Sequence, residues 1–115
     1  MTTKMTILSM ATMVILFGNS CATTREPPVS IMNHAELAVR QAQNTSAQSF
    51  ATVELHNAQN KLQQAKEAFQ QEDYEQATRL AEQALADAEL AGAKAVAEKT
   101  KQEVKKLRQK AANEE

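Results

Sequence analysis

Two stripes of apolar residues, divided by a short polar turn, constrain this 115-residue chain more than any other feature in it. Leu55, Ala58, Leu62, Ala65 and Phe69 recur at spacings of three and four, and so do Ala77, Ala81, Ala84, Ala88, Ala91 and Ala95. Such spacing places each set on one face of an α-helix. The turn at Gln70-Gln71-Glu72-Asp73 leaves room only for an antiparallel return, so the stripes bury each other as a helical hairpin. Glycine and proline number two each, too few for a β protein that must turn often. Ala, Gln, Glu, Lys and Leu, all good helix formers, dominate instead. The expected fold is all-α: an antiparallel helical hairpin in a three-helix arrangement, with a long C-terminal helix.

The first of the three helices starts near Ile31, with Ile31, Ala35, Ala38 and Ala42 in helical register. Ser30 or Asn33 is its N-cap candidate, and Glu36 and Arg40 form an i,i+4 pair in the favoured order. Asn44-Thr45-Ser46-Ala47-Gln48-Ser49 holds residues that compete for backbone hydrogen bonds, which predicts a break there. Without it, residues 31–70 would form one rod. The middle helix then runs from Ser49 or Thr52 to about Gln71. Asp73, followed three residues later by Gln76, fits a capping box and marks Asp73 as N-cap of the last helix. Glu75 and Arg79 pair at i,i+4, and Glu72, Asp73 and Glu75 place negative charge at the positive end of the helix dipole.

From Ala77 to Ala97, nine of twenty-one residues are alanine. Small side chains let helix axes approach closely, yet they bury little apolar area, at about 25 cal/mol per Å². The hairpin alone is expected to be marginally stable, so a third helix or self-association as a homo-oligomer is needed to complete it. Gly92 within this run has two readings, a close helix contact or a tolerated interior glycine.

The N-terminal segment reads as an export signal. Lys4 precedes an apolar run of about a dozen residues, Met5 to Phe17, which ends at Gly18-Asn19-Ser20. A membrane-spanning helix needs about 20. Cys21, the sole cysteine, follows at once and excludes an intrachain disulfide. The arrangement resembles a bacterial lipoprotein signal, in which the cysteine becomes the acylated first residue of the mature chain. Gly18 stands where that signal usually has Leu, and ordinary signal-peptidase cleavage after Ser20 or Ala22 is the alternative. With lipid on Cys21, Ala22 rather than Asp at the next position implies, by analogy with Gram-negative lipoproteins, the outer membrane facing the periplasm. The lipid chains would hold the protein there, each buried CH₂ contributing about 0.8 kcal/mol. Residues 22–30 contain Pro27-Pro28 and read as an extended tether reaching roughly 30 Å.

Charge is unevenly spread, although the net value is only -1 and gives no reason to expect nucleic acid as a partner. Between Glu26 and Ala97 there are ten acids and five bases. Between Glu98 and Lys110 there are two acids and six bases: Lys99, Lys101, Lys105, Lys106, Arg108 and Lys110. Ala97, Thr100, Val104, Leu107 and Ala111 keep a three-four spacing through that segment, so it continues the last helix with a narrow apolar stripe. A helix from Asp73 to Ala112 is about 60 Å long, and roughly its last twenty residues should project past the hairpin. The six bases are the candidate partner-binding residues, for an acidic protein, a carboxylated glycan or a membrane surface. The alternative is a solvated helix end with lysines suited to the C-terminal dipole.

Ala58-x-x-Lys61-Leu62-x-x-Ala65, Glu72-Asp73-Tyr74-x-x-Ala77-x-x-Leu80-Ala81 and Asp87-Ala88-x-Leu90-Ala91-x-Ala93-Lys94 together resemble the bacterial envelope domain known as domain of unknown function 4398. The resemblance covers residues 21–97. It implies a short lipoprotein with an alanine-rich helical body. Glu72 stands where that family often has Gly, and Thr52 where Pro often opens the middle helix. Asp73-Tyr74-x-x-Ala77 is also similar to a tetratricopeptide unit, though one hairpin falls short of the roughly three repeats a stable array needs.

No Gly-rich phosphate loop or nucleophile elbow occurs, and His34 and His56 lack a second ligand at metal spacing. No enzyme, cofactor or metal site is expected beyond covalent lipid on Cys21. The chain thus divides into a signal peptide (1–20), a lipid-anchored linker (21–30), an alanine-rich helical domain (31–97) and a basic helical tail (98–115). The expected role is a non-enzymatic, lipid-anchored scaffold or adaptor of the cell envelope, with an envelope protein or peptidoglycan as partner. The alternative is a soluble periplasmic helical-hairpin module or chaperone.

Overall fold

Residues 26–114 are described by the structure, a computed structural model. Four helices follow in order: α1 (Val29–Asn44), α2 (Ala47–Phe50), α3 (Thr52–Gln70) and α4 (Tyr74–Asn113). The described residues contain no strand. The signal segment, Cys21 and most of the linker lie outside the described residues.

Pro28, not Ser30 or Asn33, opens the first helix, and no side chain caps it. Proline needs no partner for a backbone N–H, and its fixed φ is close to helical. The Val29 N–H donates to the Pro27 carbonyl at 2.8 Å. The break after α1 lies within the expected Asn44–Ser49 window and centres on Thr45. Its extended backbone stops the helix, its hydroxyl donates to the Ala42 carbonyl (2.6 Å), and the same oxygen accepts from the Ala47 N–H (3.3 Å). One side chain thereby closes α1 and starts α2. The short α2 is an addition to the three expected helices; Ala51, outside helical geometry, joins it to α3.

The α3–α4 turn has a Schellman geometry. The Asp73 N–H donates to the Ala68 carbonyl (2.9 Å) and the Glu72 N–H to Phe69 (3.0 Å), with Glu72 at φ 60°. That left-handed conformation costs a residue with a Cβ roughly 1 kcal/mol. Glu72→Gly is therefore expected to stabilise the bundle by about 1 kcal/mol, less the entropy glycine regains on unfolding, and a thermal melt beside the unaltered chain measures it. Asp73 caps α4 as expected, its carboxylate accepting from the Gln76 N–H at 3.1 Å. The reciprocal half of the capping box is absent because the Asp73 N–H is already taken by Ala68, and the Gln76 side chain accepts from Arg79 instead.

The three long helices pack along an alanine seam. The buried residues are Ala35, Val39, Ala42, Ala47, Ala51, Leu55, Ala58, Leu62, Ala65, Ala68, Ala77, Ala81, Ala84, Ala88, Ala91 and Ala95. Both predicted stripes face inward except at one place: Ala68 is buried and Phe69 only half-buried, its ring set against Tyr74 at 5.6 Å between centroids. The sharp turn carries Phe69 to the edge of the bundle, where only the neighbouring ring can cover it.

Ion pairs record the register. Glu54 meets Lys94 (2.7 Å) and Lys61 meets Asp87 (2.6 Å), so the two pairs sit one heptad apart on both α3 and α4, in antiparallel sense. Glu36 of α1 reaches Lys66 of α3 at 3.3 Å as well as Arg40 on its own helix. Glu36 lies near the start of α1 and Lys66 near the end of α3, while the end of α1 leads through short α2 into the start of α3, so α1 runs antiparallel to α3 and parallel to α4. A groove of 610 Å³ lies between α1 and α4, lined by Ala38, Ala42 and Thr45 of α1 and by Ala88, Gly92 and Val96 of α4. Gly92 opens onto this groove, and a Cβ built there meets nothing within 4 Å. It is an interior helical glycine, not a close contact. Gly92→Ala should raise stability by about 0.5–1 kcal/mol, visible as a later urea midpoint.

Candidate functional site

The antiparallel register ends where α3 begins. With Glu54 level with Lys94, the start of α3 at Thr52 lies opposite the region of Val96. Beyond that point α4 has no neighbour of equal length, and every described residue from Lys99 onward is exposed. The free arm, residues 99–113, extends about 22 Å at 1.5 Å per residue. Lys99, Lys101, Lys105, Lys106, Arg108 and Lys110 all lie on it. Lys101 pairs with Glu98 (2.7 Å) and Lys110 approaches Glu114 at 3.9 Å; Lys99, Lys105, Lys106 and Arg108 form no ion pair among the described residues. The arm is thus a continuous helix with free cations around it and an uncovered apolar strip, with Val104 39% and Leu107 67% exposed.

That strip starts earlier than the basic segment. Leu90 and Val96, within the packed length of α4, are 55% and 57% exposed. Leu90, Ala93, Ala97, Thr100, Val104, Leu107 and Ala111 share one three-four spacing. Leu90, Ala93 and Ala97 lie two residues on from the buried Ala88, Ala91 and Ala95, about 200° round the helix. Helix α4 therefore carries two apolar faces, one packed on α1 and α3 and one exposed, whose Ala93 and Ala97 border the α1–α4 groove. Sequence reading assigned Leu90 and Ala93 to no face, although their register with Ala97 was available in the spacing.

The ends of the molecule are also distinguished. Because α1 runs parallel to α4 and Glu36 meets Lys66, which the α3–α4 register sets near the start of α4, Val29 lies level with the first turns of α4. The chain enters at the α3–α4 turn end, and the arm leaves at the other. The rise from that level to Asn113 is about 50 Å.

The body offers little chemistry. His34 and His56 are exposed, and His56 Nε2 lies 3.0 Å from the Asn60 amide. No group of three or more metal-ligating side chains occurs among the described residues. Within the same residues, no helix is long and apolar enough to cross a membrane. The hydrogen bond from Lys94 holds the Glu54 carboxyl below the usual carboxylate range. A depressed folded-state pKa adds stability above the ordinary range, near pH 4.3, that is lost as pH falls through the lower value. Glu54→Gln should therefore lower the urea midpoint at neutral pH, and the gap to the unaltered chain should close in acid.

Comparison with known proteins gives one result at the level of families. A family model described as a domain of unknown function (DUF4398) matches residues 30–107, which takes in the bundle and most of the arm. No curated protein matches, and no solved structure matches.

Proposed function

This chain belongs to the DUF4398 family, and from that premise we propose that it is a non-enzymatic, lipid-anchored scaffold or adaptor of the bacterial envelope, facing the periplasm from the outer membrane. The observation that carries the reading is the placement of the two ends. The tether enters at one end of the bundle and the exposed basic arm leaves from the other. An anchor on Cys21 would hold the turn end toward the membrane and point the arm away from it. The arm then presents uncovered apolar residues and free cations about 50 Å further out, within reach of an envelope protein or peptidoglycan carboxylates.

A second reading, a soluble periplasmic helix-binding module, draws on the groove between α1 and α4, whose Ala38, Ala42, Ala88 and Gly92 would admit a partner close to the backbone.

Intact mass of the protein from bacterial membranes, beside a Cys21→Ala form, separates the two. A chain beginning at Cys21 with added diacylglyceryl and acyl mass, absent from the variant, supports the anchored scaffold. An unmodified, soluble mature chain overturns it in favour of the soluble module.

A further inference from the structure

We propose that the outward face of α4 is a self-association surface, on which two copies of this chain pair as a parallel, in-register coiled coil spanning Leu90 to Ala111. The inference deepens the scaffold reading by naming the occupant of the arm's apolar strip. It stands on residue placement that the anchor does not affect.

Four of the large hydrophobic side chains left exposed, Leu90, Val96, Val104 and Leu107, lie along this side of α4. Leu90, Ala97, Val104 and Ala111 fall at one core position of a heptad and Ala93, Thr100 and Leu107 at the other, so the repeat runs unbroken for three heptads. From Lys99 onward the face has no covering helix and every described residue is exposed, while Ala93, Val96 and Ala97 border the groove shared with α1, so two copies can meet first through their arms.

The flanking charges select the partner and its direction. On one flank stand Glu89, Val96 and Glu103, and on the other Lys94, Lys101 and Arg108. In a parallel pair, each residue of the first flank faces the residue five further on in the other copy. That places Glu103 against Arg108, and Glu89 against Lys94, which already holds Glu54 within its own chain, so the Glu103–Arg108 pair carries the selection. Neither Glu103 nor Arg108 has an ion-pair partner among the described residues. An antiparallel pair would instead set Lys94, Lys101 and Arg108 against their own copies, like charge facing like. The parallel pair is also closed and two-fold, with the same surface used by both copies.

Cross-linking the full chain tests this, with Cys21→Ser so that the added thiol is the only one. Leu107→Cys and Leu90→Cys should both oxidise to a disulfide dimer, since in-register core positions approach within the roughly 7 Å limit between Cα atoms. Gln102→Cys, on the opposite side of the arm, should give severalfold less. Glu103→Arg should reduce the Leu107→Cys dimer severalfold, and adding Arg108→Glu should restore it. Cross-linking no greater at position 107 than at 102 overturns the proposal and leaves the strip to an unlike, acidic partner. A dimer at only one of positions 90 and 107 overturns the parallel register.

Discussion

Ala84→Leu is expected to destabilise the bundle by about 1–3 kcal/mol, and to do so without removing a single contact. Ala84 is fully buried within the α4 seam, among residues that are themselves nearly all alanine. Helices packed through alanine lie near the short end of the 8–10 Å range of axial separations. A leucine there has no adjacent void to enter, because its neighbours are too small to rearrange and expose one. It must push α4 away from α1 or α3, and the separation would propagate to Ala81 and Ala88 a turn to each side. In a domain of this size, each kcal/mol moves the melting temperature by about 4–8 °C. The control is Ala86→Leu, an exposed position of α4 before Leu90, where the added side chain meets solvent and the melt should barely move. Equal effects of the two substitutions would show that the seam is not closely packed.

Leu62→Ala removes packing instead of crowding it, and should cost about 2 kcal/mol, the low end for burying and then deleting a leucine. The low end is appropriate because Leu62 also borders an open furrow with Val39 and Gln59 between α1 and α3, so the space left behind connects to solvent. The effect still matters, since among the described residues Val39, Leu55 and Leu62 are the only buried ones larger than alanine. Stabilities of small domains are commonly about 5–15 kcal/mol, and this core draws on little apolar area. Urea denaturation reads both substitutions. Leu62→Ala should lower the midpoint at an unchanged slope, because the surface exposed on unfolding hardly differs.

Much of the fold was legible before any coordinate. The seam of α4 from Ala77 to Ala95 is buried at every expected position, and Asp73 caps the helix as its spacing with Gln76 requires. These are short-range properties: a heptad repeat and a capping residue act within a turn or two of the chain. The Asn44–Ser49 break was legible for the same reason, while its detail was not. Thr45 serves two helices at once, and Ser30 yields to Pro28 as the start of α1, because several local solutions of similar energy compete there. The basic arm was visible as a change in charge balance.

Sequence alone determined that the chain is helical, that Ala77–Ala95 turns inward, and that the α3–α4 connection reverses direction. Each follows from the periodicity of the α-helix and from the length of one turn. Tertiary structure decided what periodicity cannot encode. It set α1 parallel to α4, placed Glu54 on Lys94 and Lys61 on Asp87, required Glu72 to adopt a left-handed backbone, and left the Leu90–Ala111 face uncovered. A repeat of three and four tells a helix which residues share a face. Only the lengths and register of its neighbours decide which face is covered, and α3 begins too late in the chain to cover the arm.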